Sequence, residues 1–377
     1  MIKRILASVV CAAFLCTAGA AAMSAPAAAD AVSDFYKGKR ITLLISTTAG
    51  SGYDLYARLL GRNLGRFIPG KPEITPINMP GAGGMVTLNN AYNSSPRDGT
   101  VLFTLHYSLP LYQAMGGRGV KYDARKIIGL GRLVASNAGT ATWTVSKAKV
   151  LSLADAKKRE AVIGATGATS NSTLYPFILN NMLGTKLKVV LGYSGGGQVF
   201  LAMERGEIDG FGAYSYLSLK AVKPDYIGKN RIAPLVQWGT EREAEWPDAP
   251  TAIEAAETEL DKQAMRVASA GPVIGFSYFM PPEVPKDRVA ALRAAFNTMI
   301  KDKAFLAEAA KAKMPLRPAT GEDAEKIVAS VMGAKPEVID RLRDLMVVKG
   351  GTRCRDYTDA KHCAKARKKS KKKKESN

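Results

Sequence analysis

Residues 41–64 read ITLLISTTAGSGYDLYARLLGRNL, and this stretch decides the fold of the chain. The apolar run Ile41–Ile45 predicts a buried strand, and the small residues Thr47–Gly52 are unsuited to continue it. From Tyr53 onward, leucines and tyrosines recur at the spacing of one helix face. The first amides of a helix lack partners within the helix, and the helix dipole favours an anion beside them. We therefore expect this loop to hold a carboxylate.

The first 29 residues have the pattern of a secretory signal peptide. A basic start at Lys3 precedes the apolar core Ile5–Cys16, which is too short to span a bilayer. Ala27–Ala29 offers a cut site before Asp30. A lipoprotein is the alternative, but neither cysteine of the leader follows the small residue that lipoprotein processing requires. No later stretch is long and apolar enough for a membrane helix, so we predict a soluble protein exported to the periplasm.

The net charge of +21 is spread unevenly along the chain. Residues 1–29 carry +2 and residues 353–377 carry +8, which leaves +11 on the part between them. The lysine-rich residues 351–377 predict a disordered tail, which either touches an anionic surface or is simply solvated. Nucleic acid is not an expected partner, because the tail lacks interleaved aromatic residues and the protein is exported. The basic core would raise the local concentration of an anionic ligand.

The cysteines of the mature chain predict no metal centre. Cys354 and Cys363 lie near the end of the chain, where an oxidising compartment would allow them to pair. A zinc site that adds His362 is the alternative, and it offers three ligands at most. No other cluster has the spacing of metal ligands, and no cofactor is expected.

Strand and helix patterns alternate along the chain and predict an α/β protein of two lobes. Residues 30–135 and 240–350 are expected to form lobe I, and residues 136–239 lobe II, with a crossing near Leu133–Thr144. Val267–Phe276 is predicted to be a further strand, and Ile208–Phe211 another. Ligands of such open sheets lie beyond the carboxyl ends of the strands. The small-residue loops of this chain all follow strands, so we expect them to meet in one cleft.

One pattern is typical of an enzyme. Gly192–Gly196 fits the G-x-S-x-G nucleophile elbow, with Ser194 as its serine. That serine would need a histidine base, and the chain offers only His106, far upstream, and His362 in the basic tail. A Ser194 esterase is therefore the weaker alternative. Asp54 either caps the first helix or contacts the ligand. We therefore predict a binding protein without catalytic activity.

Five stretches in order resemble the periplasmic substrate-binding receptors of tripartite tricarboxylate transporters, the Bug-type solute-binding proteins. The resemblance extends from about Phe35 to Met346. The chain departs from the pattern of the family at two places. Thr173 stands where many members have a histidine, and Tyr53 is bulkier than the usual threonine. The five matching stretches are Ala49–Leu59, Asn78–Gly84, Pro96–Thr100, Gly192–Gly210 and Pro281–Arg288.

The resemblance implies a type II periplasmic-binding-protein fold, with two lobes of parallel or mixed sheet flanked by helices and joined by a hinge. It also implies a monomer that closes on a small organic carboxylate and delivers it to integral-membrane transporter subunits. A receptor for a signalling kinase is the alternative that the sequence leaves open. The predicted ligand-binding residues, from the loops and the resemblance together, are Thr48, Ala49, Gly50, Ser51, Gly52, Tyr53, Asp54, Gly81, Ala82, Gly83, Gly84, His106, Thr166, Gly167, Ala168, Thr169, Ser170, Asn171, Ser172, Thr173, Tyr193, Gly195 and Gly196.

Overall fold

The computed structural model describes residues 24–193 and 195–347, which form a six-stranded and a five-stranded sheet flanked by helices. The predicted α/β class with mixed sheets is therefore confirmed. The predicted signal-peptide cleavage site, Ala27–Ala29 before Asp30, falls within the range of the first helix, Ser24–Tyr36, and the structure does not test cleavage. Ser194, Cys354, His362, Cys363 and the basic tail lie outside the described residues. No helix in the described part of the chain is long and apolar enough to cross a membrane.

The strands are β1 (Arg40–Ile45), β2 (Glu73–Asn78), β3 (Val101–Thr104), β4 (Ile128–Val134), β5 (Ala138–Trp143), β6 (Glu160–Gly164), β7 (Lys186–Val190), β8 (Gly210–Ser215), β9 (Ile232–Trp238), β10 (Phe276–Met280) and β11 (Ala319–Thr320). The α-helices are α1 (Ser24–Tyr36), α2 (Gly52–Leu64), α3 (Met85–Asn93), α4 (Leu109–Ala114), α5 (Leu153–Lys158), α6 (Asn171–Leu183), α7 (Gly196–Glu204), α8 (Tyr216–Val222), α9 (Pro224–Gly228), α10 (Ala252–Ala255), α11 (Glu259–Ile274), α12 (Lys286–Met299), α13 (Lys303–Lys311), α14 (Gly321–Met332) and α15 (Pro336–Leu345).

The chain enters the second sheet once and then returns to the first. The first sheet has the order β11-β4-β10-β3-β1-β2, and its strands come from the residues predicted for lobe I. β1 runs parallel to β2 and β3, whereas β10 is antiparallel to its neighbours. The second sheet, β7-β6-β8-β5-β9, uses residues predicted for lobe II. We use lobe I and lobe II below for these sheets with the loops and helices that join their strands.

Residues 41–64 fold as their pattern predicts, and they form the centre of lobe I. The strand starts at Arg40, and its apolar side chains are buried. The helix starts at Gly52 because Ser51 caps it, with the Ser51 hydroxyl accepting a hydrogen bond of 3.3 Å from the Asp54 amide. The leucine face of this helix is buried against the sheet. Burial of this face, more than helix propensity, stabilises the unit.

Helix α15 ties the two lobes together. It packs on α6 of lobe II, where the Asn181 side chain donates a hydrogen bond of 2.6 Å to the Leu345 carbonyl. It also packs on α11, where Arg341 pairs with the buried Asp261 carboxylate at 2.6 Å. Residues near the end of the described chain therefore contact helices that belong to both sheets.

The prediction of a strand over Val267–Phe276 is wrong. Most of this run belongs to α11, whose first turn is capped by a hydrogen bond of 3.1 Å from the Asp261 amide to the Thr258 hydroxyl. A short apolar run fits a buried helix as well as a strand, and here the cap decides for the helix. Gly275, with a φ of 59°, ends the helix, and β10 starts at Phe276.

Two other predicted boundaries of lobe II also need correction. The strand predicted over Ile208–Phe211 begins at Gly210 and continues to Ser215, so Tyr214 is part of it. The crossing predicted near Leu133–Thr144 is only three residues long, because strands β4 and β5 occupy most of that range. The small side chains of β5 are buried in the sheet and do not form an exposed linker.

Close approach of a backbone to an aromatic ring makes Gly131 in β4 sensitive to substitution. A Cβ atom at Gly131 would lie 2.1 Å from Cε1 of Phe296, which is fully buried. We expect Gly131→Ala to lower the free energy of unfolding by about 2 to 3 kcal/mol, because the ring has no space to move into. Urea denaturation measures this change.

Gly228→Ala is the matched control, because no atom lies within 4 Å of the added Cβ. We expect its free energy of unfolding to stay unchanged or to rise slightly. Equal values for the two variants would contradict the packing described at Gly131.

Candidate functional site

A cavity of about 410 Å³ lies between the two lobes, at the carboxyl ends of several strands. Ser46 follows β1, His106 follows β3, and Gly164 ends β6 at the cavity wall. Ser215, the last residue of β8, borders it from lobe II. This is the place where ligands bind in open α/β sheets.

The structure brings most of the predicted site residues to this one cavity. They come from loops that are far apart in the sequence and belong to both lobes. The predicted residues that line the cavity are Ser51, Gly52, Tyr53, Gly81, Ala82, Gly83, Gly84, His106, Thr166, Gly167, Ser170, Asn171, Ser172, Tyr193, Gly195 and Gly196.

The remaining predicted residues do not line the cavity, and the side chains of Thr169 and Thr173 form hydrogen bonds to backbone carbonyls instead. Thr173 donates a hydrogen bond of 2.8 Å to the Gly167 carbonyl and so closes its own loop. Thr169 donates one of 2.5 Å to the Ala82 carbonyl of the other lobe. The predicted residues outside the cavity wall are Thr48, Ala49, Gly50, Asp54, Ala168, Thr169 and Thr173.

Asp54 is a structural residue of the first loop. Its buried carboxylate accepts hydrogen bonds from the Gly50 amide at 2.9 Å and from the Arg58 Nε at 2.9 Å. Asn78 adds a third bond of 2.8 Å and also donates to the Thr47 carbonyl at 2.9 Å. Burial alone would raise the pKa of Asp54, but these donors outweigh it and hold the pKa below its usual value. The charge therefore fixes the loop, and the alternative of ligand contact is not supported.

The first two residues of α6, Asn171 and Ser172, line the cavity. The Asn171 and Ser172 amides make no hydrogen bond to another described residue. Around them, the Ser172 hydroxyl accepts from the Thr166 amide at 3.1 Å, and the Ser170 hydroxyl donates to the Gly167 carbonyl at 2.7 Å. The hydroxyl network holds the loop in a shape that leaves the two amides free for a ligand.

The start of α7 lies beside that of α6. The loops before the two helices are joined by hydrogen bonds from Gly192 to the Thr166 carbonyl at 3.3 Å and from Tyr193 to the Ala165 carbonyl at 3.4 Å. Gly196, the first residue of α7, lines the same cavity, and its amide also has no partner in the described part of the chain. The N-termini of α6 and α7 therefore lie side by side, and the dipoles of both helices favour an anion there.

The cavity wall carries no lysine, arginine, aspartate or glutamate among the described residues. His106 lines it, and its Nδ1 lies 2.8 Å from the Ser108 hydroxyl. Its ring stacks on Tyr53 with a centroid distance of 5.4 Å. Burial lowers the pKa of His106 to about 4, so the imidazole is neutral at pH 7. Charge recognition in this cavity consequently falls on backbone dipoles.

An aromatic wall was not predicted from the sequence. Besides Tyr53, His106 and Tyr193, which were predicted site residues, the structure brings Tyr107, Phe200, Phe211, Tyr214 and Phe276 to the cavity. Tyr214 and Phe276 lie where the strand boundaries were predicted wrongly. Phe200 follows Gly196 by one helical turn. This spacing was the signal in the sequence that its ring could line the same cavity as Gly196.

The lobes touch each other on two sides of the cavity through glycines. A Cβ atom at Gly167 would lie 2.5 Å from the backbone nitrogen of Gly83, and one at Gly195 would lie 2.4 Å from Oγ1 of Thr48. Each contact joins a loop of lobe II to a loop of lobe I. The described arrangement is therefore a closed one, in which the loops meet over the cavity.

Two sheets that exchange the chain through short crossings, with a cavity between them, define the fold of a two-lobed periplasmic solute-binding protein. No protein-family model and no curated protein sequence matches the chain. Solved structures, in contrast, do match the chain in their fold. MatC of Rhodopseudomonas palustris with bound malate is 19% identical, has a TM-score of 0.60, and matches over 81% of this chain and 99% of its own.

Two further solved structures have the same fold. The R. palustris protein Rpa4515 with adipate is 19% identical over 81% of this chain and 97% of its own, with a TM-score of 0.60. A TctC solute-binding protein from Polaromonas without ligand is 19% identical over 81% and 99%, with a TM-score of 0.53. The predicted resemblance to TctC-like solute-binding proteins is thus confirmed in three dimensions, and with it the two-lobed fold.

The neutral state of His106 predicts a dependence of stability on pH. Its pKa is about 4 in the folded protein and about 6.5 in an unfolded chain, so the unfolded state binds more protons between these values. This stability is fully present above pH 6.5 and is lost as the pH falls toward 4. Between pH 7.5 and pH 5, we expect a loss of about 1 to 2 kcal/mol in the free energy of unfolding from this residue.

Urea denaturation of the wild type and of His106→Asn at both pH values measures the loss. Asparagine places a polar atom near the position of Nδ1 but does not titrate, so the variant should lose less stability on acidification. His362→Asn is the control, because the chain has only two histidines. An equal pH effect in the wild type and His106→Asn would contradict the neutral, buried imidazole.

Proposed function

We propose that this chain is an exported, non-enzymatic solute-binding protein that captures a small organic carboxylate between its lobes. The observation that carries the proposal is the pair of adjoining helix starts, α6 and α7. Their first residues line a cavity that has no charged side chain among the described residues, and the amides of Asn171, Ser172 and Gly196 make no hydrogen bond to another described residue. A carboxylate is an acceptor-only group that matches such amides. The malate and adipate in two structures of this fold support the same ligand class.

Recognition would begin in lobe II. The amides of Asn171, Ser172 and Gly196 donate to the carboxylate oxygens, and the Thr166 hydroxyl, which lies 3.2 Å from the Ser172 hydroxyl at the cavity wall, assists them. Hydrogen bonds to a charged acceptor are worth roughly 1.5 to 3 kcal/mol each. Because the loops are already shaped by internal bonds, little ordering entropy opposes binding.

Closure of lobe I would then complete the site. The Gly81–Gly84 loop meets the Gly167–Thr169 segment, and the Thr169 hydroxyl bonds the Ala82 carbonyl across the cleft. The contacts exclude water and strengthen the electrostatic interactions inside. The closed pair of lobes presents a different surface from the open one, and we propose that membrane subunits of a tripartite tricarboxylate-type transporter read this surface.

The alternative functions differ from this one in what they require. An esterase would need Ser194 and a histidine base, and among the described histidines only His106 borders the cavity, with its Nδ1 at the Ser108 hydroxyl. No observation favours that reaction. A sensor for a signalling kinase would share the ligand site and differ only in the membrane partner that binds the closed form.

Thermal shift with organic acids tests carboxylate capture. A bound acid should raise the melting temperature because it stabilises the folded state by RT ln(1 + [L]/Kd), about 2.7 kcal/mol at 100 times Kd. Mono-, di- and tricarboxylates are screened, with the methyl ester or amide of each acid as the control. If no acid raises the melting temperature, or if each ester does so equally, the proposal is wrong.

Gly167→Ala tests closure of the lobes. The added methyl group would lie 2.5 Å from the Gly83 backbone nitrogen, so the lobes should be held apart. We expect affinity for the best acid to fall at least tenfold in calorimetry, with little change in the free energy of unfolding of the ligand-free protein. Gly228→Ala is the control, because Gly228 does not line the cavity and nothing lies within 4 Å of its Cβ. Unchanged affinity in Gly167→Ala would contradict closure through these loops.

A further inference from the structure

The cavity has an aromatic wall, to which both lobes contribute rings. In lobe I the Phe276 ring lies 4.2 Å from the Tyr53 ring, and Tyr53 stacks on His106 at 5.4 Å. In lobe II the Phe200 ring lies 4.8 Å from Tyr214 and 5.9 Å from Phe211. Each lobe therefore presents a continuous patch of rings to the same space.

From this wall we infer that the ligand is a monocarboxylate with an aromatic or other flat apolar body, rather than a di- or tricarboxylate. The inference rests on the proposed carboxylate capture and names the part of the ligand that the amides do not hold. A flat body between two ring patches would gain from burial and from stacking, which adds about 0.5 to 1.5 kcal/mol for each ring pair.

The proposed anion position lies where the starts of two helices adjoin each other. The unpaired amides at the starts of α6 and α7 adjoin each other through the bonds between their loops. In lobe I the Gly50 amide is bonded to Asp54, and the Gly84 amide to the Gly81 carbonyl. These two amides of lobe I are therefore already used within their own loops.

The rings offer no countercharge for a second carboxylate. The Tyr53 hydroxyl accepts a hydrogen bond of 3.2 Å from the Tyr107 amide. Burial raises the pKa values of Tyr53, Tyr107 and Tyr214, so all three phenols are neutral at pH 7. No lysine or arginine lines the cavity among the described residues. A second carboxylate against this wall would be desolvated without a partner, which costs several kcal/mol.

Gly196 shows how the anion position and the aromatic wall are related in space. A Cβ atom at this residue would lie 2.4 Å from Cε2 of Tyr214, so the Tyr214 ring packs directly on the first turn of α7. A ligand whose carboxylate meets the Gly196 amide has its next carbon atoms beside that ring. The geometry favours an acid in which the ring is attached to the carboxylate directly or through one carbon.

Calorimetry on the full chain with matched acids tests the inference. Benzoate, phenylacetate and cyclohexanecarboxylate are compared with succinate, adipate and tricarballylate, and benzamide is the uncharged control. We expect the best aromatic monocarboxylate to bind at least tenfold more tightly than the best di- or tricarboxylate, and benzamide to bind at least tenfold more weakly than benzoate.

Phe200→Leu tests the wall itself. Leucine retains an apolar side chain but removes the ring, so affinity for benzoate or phenylacetate should fall at least fivefold more than affinity for an open-chain acid. Phe305→Leu is the control, because Phe305 is equally buried and does not line the cavity. It should leave the ratio of the two affinities unchanged, and circular dichroism establishes that both variants are folded.

The outcomes separate this inference from the proposed function. Binding of adipate or tricarballylate as tight as that of every aromatic acid overturns the inference and leaves carboxylate capture intact. Binding of no acid at all overturns carboxylate capture and the inference with it. An equal loss for aromatic and open-chain acids in Phe200→Leu also overturns the inference, because the ring would then contribute nothing specific.

Discussion

The close approach of the Gly83 and Gly167 backbones is the constraint on which the site depends. The two loops meet at a distance that a single methyl group would fill, and the Thr169 hydroxyl bonds the Ala82 carbonyl beside them. Only residues without a side chain allow two loops from different sheets to close over a ligand in this way. The small-residue loops therefore serve two needs, since they expose amides to the ligand and let the lobes touch.

Charge in this protein organises the loops and is absent from the cavity wall. Asp54, the one carboxylate predicted at the site, accepts bonds from Gly50, Arg58 and Asn78 and is thereby committed to the shape of the first loop. Because the described residues of the wall include no charged side chain, the charge of a bound acid would interact with backbone dipoles. These dipoles are fixed and need no reorganisation when the ligand enters.

The first half of lobe I could be predicted because its signals are local. The strand and the helix of residues 41–64 follow from apolar spacing, and the helix starts at Gly52, one residue before the predicted start. The role of Asp54 was left open, because its partner Asn78 lies 24 residues away and only the fold brings the two together. The strand predicted over Val267–Phe276 failed because an apolar run fits two structures, and the Thr258 cap that decides between them was overlooked.

The aromatic wall shows which part of a binding site local sequence patterns leave out. Phe200, Phe211 and Phe276 come from a helix and from strands of two different sheets, and in each segment a buried ring fits the core as well as the ligand cavity. What separates the two is the position of the ring relative to the strand ends, which depends on register and on how the lobes meet. A loop rich in small residues therefore predicts an anion site, whereas the rings that we infer to select the acid become visible only in the folded chain.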